Sequence, residues 1–373
     1  MVQQKQNRKT YLVGGAVRDS ILGLEVEERD WVVVGSTPAT LLDEGYVQVG
    51  KDFPVFLHPR SKEEYALART ERKVKAGHKG FDCDASETIT LEEDLFRRDL
   101  TINAIAEDDE GNLIDPYNGT SDLENHILRH ISEAFEEDPL RILRVARFLA
   151  KFGHFNFQVA EETKALCKKM VDRGDLEELP AERIYQELDK ALSTDQPSLF
   201  FEFLHDISAG DYLWPDLTPG DFDRLQKVTT DTNSQRFAVL LSRSSSQSIK
   251  AITEKLRTPR SYAELAMLCH DHFNSWISVD KLNAEQKVSF LYRTDAFRKT
   301  ERFFQFGATC DAIYSLDHVK EPNLGTWRTH FDVTTNITSS SVDACLEGPA
   351  IGAAIKKYQI EAVEELSNNN AGK

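Results

Sequence analysis

The chain has 373 residues, 40% hydrophobic and 29% charged, enough to bury full cores in two or three domains. Its formal charge of −17 excludes a generally basic nucleic-acid binder and leaves room only for a local basic face, because phosphate binding rests on Lys and Arg. No run of eighteen apolar residues occurs, the start Met1-Val-Gln-Gln-Lys-Gln-Asn-Arg-Lys9 is polar, and the cysteines at 83, 167, 269, 310 and 345 show neither CxxC nor zinc spacing. A soluble, unexported, cytoplasmic protein with reduced thiols is expected.

The chain is organised around Tyr11-Leu-Val-Gly-Gly-Ala-Val-Arg-Asp-Ser-Ile-Leu-Gly23. It reads as an apolar strand, a Gly14-Gly15 turn and a helix through Val17 and Ile21 that stops at Gly23, where a left-handed residue costs little. A helix opening on two glycines presents bare N–H groups, and Arg18 adds a cation one turn in. That is an anion site, most naturally for phosphates. Trp31-Val-Val-Val then makes a strand, ended by Gly35-Ser-Thr-Pro38. At a period of two, Glu28 and Asp30 share one strand face while Arg29 points away. Two carboxylates beside a phosphate cradle make a Mg²⁺ site, and two such ions suit in-line attack on a nucleotide phosphate.

Gly14 to Ser36 as a whole resembles the nucleotidyltransferase signature of bacterial CCA-adding enzymes, the tRNA nucleotidyltransferases of the class shared with bacterial poly(A) polymerases. The family's usual pair is Asp-X-Asp, and this chain has Glu28-Arg29-Asp30. The extra methylene moves the carboxylate by roughly 1.5 Å. A misplacement of ~1 Å at reacting groups can cost about 10²-fold in rate.

Pro38–Asp43 reads as a short helix, and Gln48-Val-Gly, Pro54–Leu57 and Tyr65–Arg69 as three further strands, giving a small mixed sheet with flanking helices. The resemblance implies an acidic residue near Thr70-Glu-Arg-Lys73 assisting the metal pair, and Glu71 is the candidate; the alternative is a surface ion pair with Arg72 or Lys73. Val74–Ser86 is charged, aperiodic and glycine-containing, so a mobile loop is expected. The family has such a loop, needed for adding the final A and shortened in enzymes that add only two Cs.

In Leu91-Glu-Glu-Asp-Leu-Phe-Arg-Arg-Asp-Leu-Thr-Ile-Asn-Ala104, helical packing of Leu91, Leu95, Ile102 and Ile105 on the sheet would cluster Arg97, Arg98 and Asp99 before an Asn-containing turn. The block is similar to the family's Arg-Arg-Asp-X-Thr-Ile-Asn-Ala motif. That resemblance implies Arg98 on the triphosphate and Asp99 on the ribose hydroxyl. Asp115-Pro-Tyr-Asn-Gly119 and Asp122-Leu123 match the turn that closes the family's head, with Asp115 as its cap.

Glu136-Glu-Asp-Pro-Leu-Arg-Ile-Leu-Arg-Val-Ala-Arg-Phe148 predicts a helix with Pro139 at its first position and Asp138 as N-cap. Ile142, Val145, Ala146 and Leu149 share one face; Arg141, Arg144 and Arg147 form a stripe on nearly the opposite one. Cytosine and adenine each offer an exocyclic amino donor beside a ring-nitrogen acceptor, which a carboxylate and a guanidinium can satisfy together. An Asp138/Arg141 pair would therefore accept CTP and ATP and reject UTP and GTP. The family's Glu-Asp-X-X-Arg motif is read in that way, without a nucleic-acid template. Glu182-Arg-Ile-Tyr-Gln-Glu-Leu188 is similar to the family's last motif and reads as a stiffening helix, with Arg183 bonding carbonyls or acidic side chains.

From Leu199 onward the pattern is helical, and Ser367–Lys373 should fray. Longer relatives carry a metal-dependent phosphohydrolase domain here, marked by a His-Asp pair after an Arg-Phe-Ala-X-Leu helix. This chain reads Arg236-Phe-Ala-Val-Leu-Leu-Ser-Arg243, without that pair. His270-Asp271-His272 is a poor substitute, because adjacent helical residues diverge.

The expected fold is α+β: a nucleotidyltransferase head (1–128), a helical neck carrying the nucleotide-selecting motif (129–198) and a helical body for tRNA binding with a degenerate phosphohydrolase remnant (199–373). The resemblance implies addition of CMP, CMP and AMP to the 3′ end of tRNA with release of pyrophosphate. Glu28 and Asp30 would hold Mg²⁺, Gly15, Arg18 and Arg98 the triphosphate, Asp99 the ribose, and Asp138 with Arg141 the base. Arg144 and Arg147 would support the phosphates or the base edge. tRNA, CTP and ATP are the partners expected, and neither a membrane nor DNA. The rival readings are a poly(A) polymerase, and a tRNA-binding protein whose catalysis is weakened at Glu28.

Overall fold

The computed structural model describes residues 8–49, 55–73, 81–319 and 322–371. They divide into two compact units, Met1–Tyr212 and Leu213–Lys373.

The first unit is built on a seven-stranded mixed sheet. Its strands are β1 (Lys9–Val13), β2 (Asp30–Val34), β3 (Val47–Val49), β4 (Val55–Leu57), β5 (Glu64–Leu67), β8 (Ala106–Glu107) and β9 (Leu113–Ile114), in the order β3-β4-β5-β2-β1-β8-β9. Only β2 and β5 pair in parallel within it, Asp30 opposite Glu64 and Val33 opposite Leu67. β6 (Thr70–Lys73) and β7 (Phe81–Asp84) form a separate antiparallel ladder.

Alternation along β2 shows why the sheet is double-faced. Val32 joins Tyr11, Val13, Leu95 and Ala104 in one buried cluster; its neighbour Val33 joins Leu41, Phe56 and Leu67 in the other. Asp30 shares Val32's face, toward the layer that holds α1 (Gly15–Ile21) and α3 (Leu91–Phe96). The other face is covered by α2 (Pro38–Asp43), whose buried Leu41 contributes about 1.5–3 kcal/mol in transfer energy.

Four local readings need correction. Glu28 lies outside β2, which begins at Asp30, so strand alternation does not fix its direction. The helix that opens at Leu91 ends at Phe96, and Thr101–Asn103 is a short 3-10 turn; Leu91, Leu95, Ile102 and Ile105 are all buried nonetheless. The helix is held open at its start by reciprocal Thr90 and Glu93 caps. Within the expected loop Val74–Ser86, Phe81–Asp84 is a strand, because its backbone pairs with β6; residues 74–80 lie outside the described residues. The Asn-rich tail is helical to Ala371, since extending an established helix costs little.

The Asp115 turn is capped as expected, Asp115 accepting from the backbone N–H of Gly119 and Thr120 at 2.7 and 2.8 Å, and α4 (Gly119–Glu124), which the sequence reading did not name, follows it. A parallel pair, β10 (Ile127–Leu128) with β11 (Gln158–Val159), leads into the helical part of the unit. There α5 (Leu140–Lys151) packs against α7 (Ala181–Leu192) and α8 (Ser198–Asp206), beside α6 (Glu161–Asp172). Its face of Ile142, Val145 and Ala146 is fully buried, which leaves the arginine stripe on the opposite side.

The division between units falls in α9 (Gly210–Leu213). The second unit is helical throughout: α10 (Pro219–Lys227), α11 (Asn233–Leu240), α12 (Ser246–Lys255), α13 (Arg260–Ile277), α14 (Ala284–Arg293), α15 (Thr300–Ser315), α16 (Leu324–Thr335) and α17 (Pro349–Ala371). Its core is aromatic: Trp327 stacks on Trp276 at 5.5 Å and on Phe290 at 4.4 Å. Each indole N–H is satisfied, Trp276 by Asp311 and Trp327 by the Trp276 carbonyl. α15 can approach that stack only through Gly307, where an added Cβ would lie 2.1 Å from the Trp276 ring.

Candidate active site

The turn after β1 is the floor of the site. Gly14 has φ +71°, and an added Cβ would sit 2.6 Å from Nη1 of Arg98, so only glycine allows the guanidinium this close to the backbone. The Gly14 N–H is spent on the Ile105 carbonyl, which leaves the N–H groups of the first turn of α1, from Gly15 on, as the bare donors.

Two buried carboxylates organise the cations above this floor. Asp94 is fully buried on α3 and receives Arg97 at 2.8 Å, Arg98 at 3.3 Å and the Arg69 backbone N–H at 3.2 Å. Burial opposes its charge, but Arg97 and Arg98 overcome this and hold its carboxyl below the usual range. Asp99, 6% exposed, accepts from the Leu100 N–H and Asn103 Nδ2 on Oδ1, both at 2.9 Å, and from Arg144 Nε on Oδ2 at 2.6 Å. Against the cost of burial, Arg144 and Asn103 keep Asp99 ionised well below the ordinary carboxylate range, and Asp99 in turn raises Arg144.

The arginine stripe of α5 is fixed from other elements. Arg141 donates to the backbone carbonyls of Ala134, at 2.8 Å, and of Arg97. Arg147 pairs with the buried Glu187 of α7 at 2.5 Å. Asp138 caps the helix through the Leu140 N–H at 3.1 Å and is gripped by both terminal nitrogens of Arg183, at 3.2 and 2.9 Å. Arg18, 4% exposed, bonds Asp19 at 2.7 Å and the Asn103 side chain, and lies 5.1 Å from both the Phe148 and Phe152 rings. Asp19 also takes Lys151 at 3.0 Å, which ties α5 to α1.

Gly15, Arg18, Asp30, Arg98, Asp99, Asp138, Arg141, Arg144 and Arg147 thus line one open cleft of about 490 Å³. Glu28 is the exception: it lines an adjoining hollow that shares Gly15, Arg18 and Asp30 with the cleft. Sequence reasoning missed Asn103, Phe148 and Lys151, and gave Arg183 no place in the cleft. Asn103 and Phe148 lie inside the motif blocks and Arg183 within the Glu182–Leu188 block, so proximity to known blocks was the available signal. Eight basic side chains and three carboxylates line the cleft, which makes it a local basic surface on an acidic chain.

One polar atom there lacks a partner: Arg98 Nε is buried with no acceptor among the described residues. Burial lowers the Arg98 pKa while Asp94 supports its charge. An acceptor-rich anion entering over Gly14 would complete it.

The two candidate metal ligands behave differently from the rest. Neither Glu28 nor Asp30 takes a hydrogen bond or ion pair from the described residues, and loss of hydration together with the Glu28 charge raises the Asp30 pKa despite Arg98. Two adjacent, unneutralised hard-oxygen donors fit a divalent cation. No group of three or more His, Cys, Asp or Glu with metal-site geometry occurs among the described residues, and the Glu71 side chain lies outside them.

Fold and cleft together define a nucleotidyltransferase head carried on helices. The profile described as Poly A polymerase head domain matches residues 10–129, and one described as probable RNA and SrmB-binding site of polymerase A matches 156–220. A CCA-adding enzyme of Coxiella burnetii is 44% identical over 366 residues, covering 96% of this chain and 95% of its own. A multifunctional CCA protein of Thioalkalivibrio sulfidiphilus is 41% identical over 404 residues, covering 96% and 98%. The chain belongs to the CCA-adding enzyme family and is a tRNA nucleotidyltransferase. Among solved structures, a CCA-adding enzyme in apo form shares the fold with a TM-score of 0.71 at 22% identity, over 97% of this chain and 92% of that one. The Thermotoga maritima CCA-adding enzyme complexed with tRNA gives 0.66 at 22% identity, over 97% and 92%. Among the described residues no helix is long and apolar enough to cross a membrane.

Proposed function

We propose that this enzyme adds the 3′-terminal CCA to tRNA, without a template, from CTP and ATP, releasing one pyrophosphate per nucleotide. The observation that carries this reading is the cleft with its adjoining hollow, where a fixed array of arginines lies beside Asp30 in the cleft and Glu28 in the hollow, two carboxylates with no side-chain partner among the described residues. Similar enzymes have been solved with CTP, with ATP and with tRNA.

Glu28 and Asp30 would hold Mg²⁺, and two such ions would supply Lewis-acid activation of the tRNA 3′ hydroxyl and charge stabilisation on the leaving pyrophosphate. The triphosphate lies over Gly14 and Gly15, accepting from the open N–H groups of α1, from Arg18 and from Arg98 Nε. Asp99, which lines the cleft, would take a ribose hydroxyl, while Arg144 holds its carboxylate ionised and in place. Arg147, anchored on Glu187, and Arg144 support the phosphates or the base edge.

The base is read by Asp138 and Arg141. Asp138 is an acceptor held in orientation by Arg183 and by the helix start; Arg141 is a donor held by two backbone carbonyls. An incoming cytosine or adenine supplies the complementary donor and acceptor, whereas uracil or guanine would leave buried polar groups unpaired. The residues that read the base are thus immobilised by protein rather than by a template. The head, neck and body boundaries at 128 and 198, tRNA binding by the body and a cytoplasmic setting are parts of the same reading.

The test is incubation of the pure protein with Mg²⁺ and a tRNA lacking its last three nucleotides, with each triphosphate singly and in pairs. Growth by two with CTP and by three with CTP plus ATP is expected. ATP-only tailing would instead establish a poly(A) polymerase, and tRNA binding without growth a binding protein.

A further inference from the structure

The second unit carries a cavity of about 720 Å³ that the transferase chemistry does not use. It is walled by α10, the turn after α11, α13 and the C-terminal end of α15 with the residues just beyond it, and its size is that of a small-molecule site. Arg243, His270 and Asn274 line it and make no hydrogen bond or ion pair among the described residues. Arg224 Nε and Ser242 Oγ, also in its wall, are buried with no partner among the described residues.

The single carboxylate of the lining, Asp317, is already neutralised: Arg224 grips both its oxygens, at 2.8 and 2.6 Å. The Arg224 hydrogen bonds, with Arg243 and His318 nearby, hold the Asp317 carboxyl below its usual range. Two guanidiniums and two imidazoles therefore face one compensated anion, within a chain of net charge −17. Beside them the rings of Tyr314 and His318 stack at 4.2 Å, only 3° from parallel, and the exposed His318 ring offers a flat shelf. A guanidinium with no ion pair and an unpartnered Arg224 Nε–H call for an anionic, acceptor-rich ligand, and a stacked shelf calls for a planar one.

The geometry points to a second nucleotide-binding site here, taking a phosphate group at Arg243 and His270 with a base against the Tyr314–His318 stack. No reaction is assigned to it, because the cavity lining presents no unpaired carboxylate to act as a base or hold a catalytic metal. Its phosphate has two sources, a free nucleotide or a nucleotide of bound RNA, and the chemistry of capture is the same.

The experiment is equilibrium binding of 5′-AMP, of inorganic phosphate and of tRNA to the full chain, compared with Arg243→Glu, His318→Ala and, as a control on the transferase cleft, Arg98→Ala. Arg243 is exposed, so its variant should fold, which the far-UV spectrum and urea midpoint would verify. Saturable AMP binding that falls about tenfold or more in Arg243→Glu and in His318→Ala, yet persists in Arg98→Ala, is the expected result. Loss of tRNA affinity in Arg243→Glu without saturable AMP binding assigns the phosphate to RNA. Binding of every probe unchanged by Arg243→Glu and His318→Ala, or AMP binding abolished by Arg98→Ala alone, overturns the site.

Discussion

The transferase cleft and the body cavity are both lined by arginines, and they differ in what holds those arginines. In the cleft nearly every guanidinium has a fixed partner: Arg97 and Arg98 on Asp94, Arg144 on Asp99, Arg147 on Glu187, Arg183 on Asp138. In the body cavity Arg224 is fixed by Asp317, while Arg243 is held by no ion pair among the described residues. Preorganised charges can stabilise a transition state without reorganising at the moment of reaction; a loosely held charge can only bind. The contrast separates the proposed catalytic site from the proposed capture site, and it can be attacked at several points.

The largest effect is expected where the cleft has charges with no protein partner. Asp30→Asn should lower CTP incorporation by on the order of 10²–10³-fold while leaving tRNA affinity unchanged, read by primer extension and filter binding. If Arg243→Glu in the body costs the same in the single-turnover chemical step, the distinction between the two sites fails.

The next effect is structural. Arg144→Ala leaves Asp99 buried without its ion-pair partner, and loss of a buried pair costs about 3–5 kcal/mol, reduced here to about 2 kcal/mol because Arg144 is one-third exposed. Urea unfolding measures it. The pH dependence follows from Asp99, whose folded pKa lies below its unfolded value of about 3.9. Its stabilisation is fully present above that unfolded value and is lost as pH falls through the folded pKa. The parent should therefore lose stability on acidification below about pH 4, and Arg144→Ala should lose less. Removing Arg224 from the exposed Asp317 should change stability far less, since an exposed pair is worth about 0–1 kcal/mol.

A smaller effect concerns selection. Arg183 touches no substrate in the proposed reaction; it positions Asp138. Arg183→Ala should reduce the preference for CTP over UTP by about tenfold, with a rise in KM for CTP exceeding any fall in kcat. Arg183→Lys should restore part of the preference, which a merely stabilising helix residue would not require.

The two sites also differ in how legible they were. The cleft is assembled from short continuous blocks, so glycine spacing, the Arg-Arg-Asp run and the arginine stripe each carried chemistry on their own. The partners of those arginines were not legible: Glu187 to Arg147 and Arg183 to Asp138 span 40 and 45 positions, and nothing local pairs them. Five strands of the sheet, its flanking helices and the helical second half followed from apolar periodicity; the two-residue strands β8 and β9 did not, nor did the end of α3, because Ile102 and Ile105 continue a helical pattern beyond its last residue, Phe96. The body cavity draws one or a few residues from each of several segments between 224 and 318. Ser242-Arg243 and His270 were noticed only as departures from a metal motif. Tertiary packing alone brings them to one wall.

The smallest effect tests the residue that departs from the family pattern. On a strand fixed by ladder hydrogen bonds, Glu in place of Asp would carry its carboxylate roughly 1.5 Å too far, with a cost of about 10²-fold. Glu28, however, precedes β2, is exposed, and has no side-chain partner among the described residues. Its backbone can withdraw to absorb one methylene, as a residue paired on both sides could not. Glu28→Asp should therefore change kcat by less than about tenfold, whereas Glu28→Gln, which keeps the length and removes the charge, should cost on the order of 10²-fold or more. A gain of about 10²-fold in Glu28→Asp would mean that the segment before β2 is as rigid as the strand, and that the natural chain runs with a displaced metal ligand.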